Sequence, residues 1–255
     1  MPINLIACRL ATYGPYQERA WTHLPSIGIN HIEMPVPELS DIAAVQDRLA
    51  KHGLTVVSLQ GKCQITQPDA VETMRTQMYA CSELRVKYLF LSVKAGDVPR
   101  HDVWSALRAI GDLAATERVT VVLETHPDLI TNGDVGRETM EAVRHPNVRI
   151  NFDTGNIYYY NHHMTASGEL AKCIDYVRTV HLKETNGQFE CWHFPALGQG
   201  VVDFPEVFRM LNARNFTGPF TMELEGIKGQ ELDEAGQLKM VEDSVAYLRQ
   251  IGAMS

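Results

Sequence analysis

The stretch Val119-Thr-Val-Val-Leu-Glu124-Thr-His-Pro-Asp128 begins as a short run of β-branched and aliphatic residues and stops on ionisable ones. A strand of that composition is covered on both sides, so a carboxylate at its C-terminal end points into whatever the strands surround. The same order, apolar strand and then acid or imidazole, returns at Val148-Arg-Ile-Asn-Phe-Asp153, at Thr179-Val-His181-Leu-Lys183-Glu184 and at Phe220-Thr-Met-Glu223-Leu-Glu225.

Outward from these four strands, hydrophobic periodicity predicts eight strand–helix units. The first half carries strands over residues 3–8, 31–34, 54–59 and 88–93. Helices follow over 16–26, 41–51 with Gly53 at its C′ position, 68–84 opening on Pro-Asp, and 101–117. The second half carries helices over 134–143 with Asp134 as its cap, 167–178, 204–213 capped by Asp203, and an amphipathic 234–251. Tyr158-Tyr-Tyr160 and His162-His163, after Asp153, read as a loop or interface feature. Strands separated by helices require a parallel sheet, and eight units in 255 residues close a barrel rather than an open sheet. No Gly-x-Gly-x-x-Gly follows the first strand, which disfavours a dinucleotide fold. The expected fold is α/β, a single-domain (β/α)8 TIM barrel over residues 1–255.

Composition narrows the function classes. A hydrophobic content of 45% with 21% charged residues suits a globular chain with a full core. The net charge of −8 opposes a partner held through its phosphates, so no nucleic acid is expected. The start, Met1-Pro-Ile-Asn-Leu-Ile-Ala-Cys-Arg9, has neither a basic n-region nor a long apolar h-region, and no apolar run approaches a membrane span. A cytoplasmic location without a membrane partner is the expectation. Five scattered cysteines, Cys8, Cys63, Cys81, Cys173 and Cys191, suit reduced thiols.

In such a barrel the strand C-termini converge on one mouth. Glu124, Asp153, His181 and Glu223 end strands five to eight, 29, 28 and 42 residues apart. Three carboxylates in a small apolar mouth repel and resist desolvation, whereas a divalent cation removes the penalty and makes them ligands. Three carboxylate oxygens and one imidazole nitrogen favour Mn2+ or Mg2+, with Co2+ or Zn2+ also accommodated. Side chains alternate along a strand, so Lys183 and Glu225 face the mouth with His181 and Glu223, either to bind substrate hydroxyls or to pair with each other at the rim. Glu33, ending strand two, and His126, two residues past Glu124, are further substrate-binding candidates. Arg9 and Lys94, past strands one and four, either hold an anionic group or are solvated. His193, between Trp192 and Phe194, is a candidate wall of a sugar pocket. Gly198-Gln-Gly200 either lets backbone approach a ligand or forms a turn.

These residues resemble the xylose isomerase-like TIM barrels, a family grouping sugar and sugar-phosphate isomerases and epimerases with apurinic endonucleases. The resemblance spans essentially the whole chain and is carried by Leu123-Glu124, Asn151-Phe-Asp153-Thr-Gly-Asn156, His181-Leu-Lys183-Glu184, Leu197-Gly-Gln-Gly200-Val-Val-Asp203 and Met222-Glu223. It implies that Glu124 and Glu223 are metal ligands that also move protons, and that Asp153 and His181 complete the set. The implied activity is a divalent-metal-dependent isomerase or epimerase, with Mn2+ foremost. Its substrate is a small polyhydroxy carbonyl compound, free or phosphorylated, and its path is proton abstraction through a metal-stabilised enediolate. A dehydratase of the inosose or dehydroshikimate type and a catalytically silent sugar-binding barrel are the alternatives. Two departures stand out: Asn156 replaces a substrate-binding histidine of the epimerases, and Gly187 replaces an arginine. They open the site to an acidic, phosphorylated or dehydration substrate, with Asn156 itself a candidate substrate contact. Leu59-Gln-Gly61 and Ser92-Val-Lys94 lack the histidines of the endonucleases, so that activity is not expected. The resemblance also implies a homo-oligomer.

Overall fold

The computed structural model describes residues 4–254. Eight parallel strands close a barrel: β1 (Leu5–Arg9), β2 (His31–Pro35), β3 (Thr55–Gln60), β4 (Tyr88–Leu91), β5 (Thr120–Glu124), β6 (Val148–Asp153), β7 (Val177–Leu182) and β8 (Pro219–Met222), with β8 paired to β1. The expectation for strand one included Ile3, which lies outside the described residues. Around the barrel run α1 (Gln17–Ser26), α2 (Ile42–His52), α3 (Ala70–Glu83), α4 (Arg100–Thr116), α5 (Gly133–Val143), α6 (Thr154–Tyr160), α7 (Ala166–Cys173), α8 (Phe204–Asn212) and α9 (Glu234–Gln250). The fold is a (β/α)8 TIM barrel, as strand–helix alternation requires. No described helix is long and apolar enough to cross a membrane, and all five cysteines are free thiols.

Several boundaries follow local chemistry that periodicity does not report. Gly53 ends α2 in the left-handed conformation, φ 64°, and Asp203 caps α8 by accepting from Glu206 N, both as expected. The cap of α5 is Asn132, accepting from Val135 N, and not Asp134, which sits in the first turn and pairs with Lys172 at 2.8 Å. A helix, α6, stands where a loop was expected. Asp153 Oδ1 accepts from Gly155 N and Asn156 N at 2.9 Å each, so the residue that ends β6 also starts α6. The helix expected over 167–178 stops at Cys173 and tightens into a 3-10 turn, Ile174–Tyr176, which frees Val177 and Arg178 to begin β7.

Register sets the heights at the mouth. Asp153 lies opposite His181 and Glu124 opposite Asn151. Two residues below, on the same inward side, Thr179 Oγ1 donates to Asn151 Oδ1 at 2.7 Å, and Tyr88, Phe90 and Val122 form an apolar plug. The barrel's seam is tied by a polar chain that runs from the buried Tyr13 out to the exposed Glu242. Tyr13 Oη meets His23 Nδ1 at 2.7 Å, and His23 Nε2 meets Glu242 at 3.0 Å, which links the segment after β1 to α1 and α9.

Candidate metal centre

Glu124 and Asp153 close β5 and β6, His181 is the last residue but one of β7, and Glu223 follows β8 directly. One donor atom from each lies within 4.8 Å of the others. Asp153, His181 and Glu223 are buried, and Glu124 is half-buried, open to the mouth. With Asp153 Oδ1 committed to the start of α6, Oδ2 is left buried without a hydrogen-bond partner, facing the cluster. Lys183 Nζ comes within 3.1 Å of it, off the hydrogen-bonding direction, so that oxygen is paired in charge only. His181 is clamped between acids: Nε2 lies 3.2 Å from Glu33 Oε2 and Nδ1 lies 3.1 Å from Glu223 Oε2. Its ring rests on Phe90 at 4.6 Å. Three carboxylates and an imidazole, one oxygen among them lacking a hydrogen bond, fit a hard divalent cation.

Lys183 is the internal counter-ion. Its Nζ lies 2.9 Å from both Glu223 and Glu225 and 3.2 Å from Asn156 Oδ1, under the ring of Phe194 at 5.1 Å. Burial opposes its charge, but Asp153, Glu225 and Glu124 outweigh that and push the ammonium above its ordinary range. Gly155 makes room for its stem, because a Cβ there would stand 2.7 Å from Lys183 Cγ. Arg9 pairs with Glu223 and reaches within 3.8 Å of Glu33. Burial would raise the Glu33 carboxyl, yet His181 and Arg9 hold it below the usual carboxylate range. Five carboxylates (Glu33, Glu124, Asp153, Glu223, Glu225) thus face two fixed cations, Arg9 and Lys183.

The loop after β7 is fastened by an acid of its own. Glu184, 1% exposed, accepts from Thr185 N, Gly198 N and Val202 N at 3.0, 2.9 and 3.1 Å. Burial raises its pKa, and these backbone donors pull against the rise. The Gly198-Gln-Gly200 loop therefore approaches Glu184 rather than a ligand. A Cβ on Gly200 would stand 2.1 Å from Thr185 O, so Gly200→Ala is expected to cost about 1–3 kcal/mol, read by urea unfolding. In the same loop His193–Phe194 pairs with Gly226–Ile227, a two-residue ribbon beside the mouth.

Of the predicted substrate contacts, Lys183 and Glu225 pair at the cluster, joining a buried ammonium to an exposed carboxylate. His126 stands beside Glu124 with its ring 4.9 Å from that of Tyr160. Three others are placed as follows. Glu33, 1% exposed, lies behind His181 and touches the cluster through that ring. Asn156 is committed to the protein, donating to Thr125 O at 3.0 Å and Glu124 at 3.4 Å while accepting from Lys183. His193 alternates with Phe194, so with Phe194 over Lys183 the imidazole faces the other side of the ribbon. Lys94 is exposed, whereas Arg9, expected either to hold an anionic group or to be solvated, pairs with the acids.

Tyr160 is the residue that sequence reasoning missed. It shares a face of α6 with Asn156, four residues earlier. Burial and the charge of Glu124 push its phenol up to about 12. The signal for it was Asp153 as a helix cap, which turns the Tyr158-Tyr-Tyr160 run from loop into helix. A cavity of about 310 Å³ opens beside Glu223, lined by Arg9, Trp192, Glu225, Gln230 and Gln237 among others.

Known proteins resemble this chain in sequence or in fold. Inosose dehydratase of Geobacillus thermodenitrificans (strain NG80-2) is 30% identical over 141 residues, 47% of this chain and 45% of that enzyme. The chain thus spans about half the length of that curated relative. D-allulose 3-epimerase from Methylomonas sp., solved in complex with D-allulose, superposes with a TM-score of 0.77 at 18% identity, covering 98% of each chain. A xylose isomerase-like TIM barrel protein from Mycobacterium smegmatis, solved in complex with magnesium, superposes with a TM-score of 0.77 at 18% identity, covering 99% of each. At such identity the superpositions speak for the barrel alone. The sequence itself matches the xylose isomerase-like TIM barrel family over residues 22–251, from within α1 to just past α9, and with a closed barrel carrying its acids at the strand ends, this chain belongs to that family.

Proposed function

We propose that this protein is a divalent-metal-dependent isomerase or epimerase of a small polyhydroxy carbonyl compound. The observation that carries the proposal is the convergence of Glu124, Asp153, His181 and Glu223 within 4.8 Å around a buried carboxylate oxygen without a hydrogen bond. These four residues would hold the cation, with Mn2+ or Mg2+ suiting the donor set. When bound, the cation supplies Lewis-acid stabilisation of the negative charge that develops on the substrate's carbonyl oxygen.

The chain's own groups do the rest. Glu124, half-open to the mouth, and Glu223, from the strand three places around the barrel, approach a substrate from different sides. One carboxylate takes the proton from the carbon next to the carbonyl and the other returns one, so the C–H bond broken is replaced by a C–H bond formed. Lys183 holds Glu223 and Glu225 in place, and Asn156 holds Lys183 and Glu124. His126 and Tyr160 wall the Glu124 side.

The carboxylate at His181 Nε2 favours a proton there and leaves Nδ1 as the ligand atom. Glu33→Ala is therefore expected to weaken Mn2+ binding roughly 10–100-fold, and Glu33→Gln, which keeps an acceptor, by less. Calorimetric titration of the metal-free variants checks this, and unchanged affinity in Glu33→Ala would remove Glu33 from the metal's support.

A dehydratase is the second reading, favoured by the stretch shared with inosose dehydratase. The same base would then remove an α-proton ahead of loss of water. Incubation with candidate ketoses and inososes in D2O separates the two. Deuterium entering product without a change of formula supports the isomerase, loss of water supports the dehydratase, and absence of both from the metal-loaded protein refutes each.

A further inference from the structure

In barrels of this type a phosphate is commonly bound by backbone N–H groups in the loops after strands seven and eight and at a short helix that follows. Here carboxylates of the chain take those donors. Glu184 fills the turn around Gly198 with three backbone hydrogen bonds. Asp203 accepts from Glu206 N at 3.1 Å at the start of α8, and Asp233 accepts from Gly236 N at 2.8 Å at the start of α9. In the loop after β8, Leu224 N donates to Thr12, Lys228 N to Trp192 O and Gln230 N to Ile227 O.

The charges agree with the backbone. Among the described residues lining the cavity beside Glu223, Arg9 is the one cation, and its guanidinium lies on Glu223 and Glu33. Lys183 is committed to three carboxylates. The five acids outnumber the two fixed cations, Arg9 and Lys183, that answer them. A dianionic ester entering the cavity beside Glu223 would find the N–H groups at the starts of α8 and α9 and in the Gly198 turn already taken and its one lining cation paired with acids, and would meet like charge in a partly desolvated cleft. Hydroxyl groups fare differently. Gln230, Gln237 and Glu225 offer donors and acceptors to them, and Trp192 offers an apolar face.

We infer that the mouth accepts an uncharged polyhydroxy carbonyl compound and refuses its phosphate ester. The carbonyl chemistry in this inference rests on the isomerase proposal, whereas the exclusion of charge rests on the carboxylates and N–H groups alone. The Mn2+-loaded protein is titrated calorimetrically with D-fructose and D-ribulose and with their terminal phosphate esters. The metal-free protein is titrated separately with inorganic phosphate. Saturable binding of a free ketose is expected, with its ester at least roughly tenfold weaker, and no saturable phosphate binding up to millimolar concentration. An ester that binds as tightly as its ketose, or phosphate that saturates the metal-free protein at micromolar concentration, overturns the inference. If ketoses and esters alike fail to bind, the isomerase proposal loses its support, and the phosphate titration still decides whether the mouth excludes that charge.

Discussion

A Glu124→Gln protein saturated with metal is expected to turn over its substrate roughly 10²–10⁴-fold more slowly than the unaltered chain, the usual contribution of a positioned acid or base. The amide keeps the size of the side chain and one ligand oxygen but carries no proton to or from carbon. Glu223→Gln is expected to lose as much rate and to retain metal less well. Glu223 also answers Arg9, Lys183 and His181, and its charge is part of what holds them. Steady-state kinetics at saturating Mn2+, paired with elemental analysis of the purified variants, separate the two effects. A wild-type rate in either variant would remove that glutamate from proton transfer.

The second large effect is on stability. In Lys183→Met, Asp153, Glu223 and Glu225 lose the ammonium that sits 2.9–3.1 Å from them, in a site where Lys183 is 2% exposed. Removing one partner of a buried ion cluster typically costs about 3–5 kcal/mol, because the remaining charges stay buried and uncompensated. Urea unfolding in the presence of a chelator is expected to show that loss. Saturating Mn2+ is expected to restore part of it, roughly 2.7 kcal/mol at one hundred times the dissociation constant. An unchanged unfolding midpoint in chelator would mean that water, not Lys183, compensates those acids.

The barrel and the three acids and imidazole at its mouth were legible because their causes are local. Strands buried on both faces read as apolar runs, and the acid that breaks each run sits at its C-terminal end, so Glu124, Asp153, His181 and Glu223 could be placed without knowing any contact. Alternation carried Lys183 and Glu225 to the mouth for the same reason. The helix α6 was missed because its cause is one side chain in two roles. Asp153 is both a strand-ending carboxylate and a helix cap, and a reading that spends it on the mouth leaves the following tyrosines as loop. The ribbon that carries His193 was not legible because its partner, Ile227, lies in the next strand's loop, beyond any local pattern.

By itself, the sequence determined the architecture and which side chains reach the mouth, because periodicity and strand-end position are properties of consecutive residues. Only the tertiary structure decided what each polar group is used for. Glu33 backs His181, Asn156 bridges Lys183 to Glu124, Arg9 neutralises acids, and Glu184 fills the Gly198 turn. Each of these depends on which opposite charge or unpaired donor comes within about 3 Å across the barrel, as hydrogen bonding requires. That distance is set by eight strands closing together and by none of them alone.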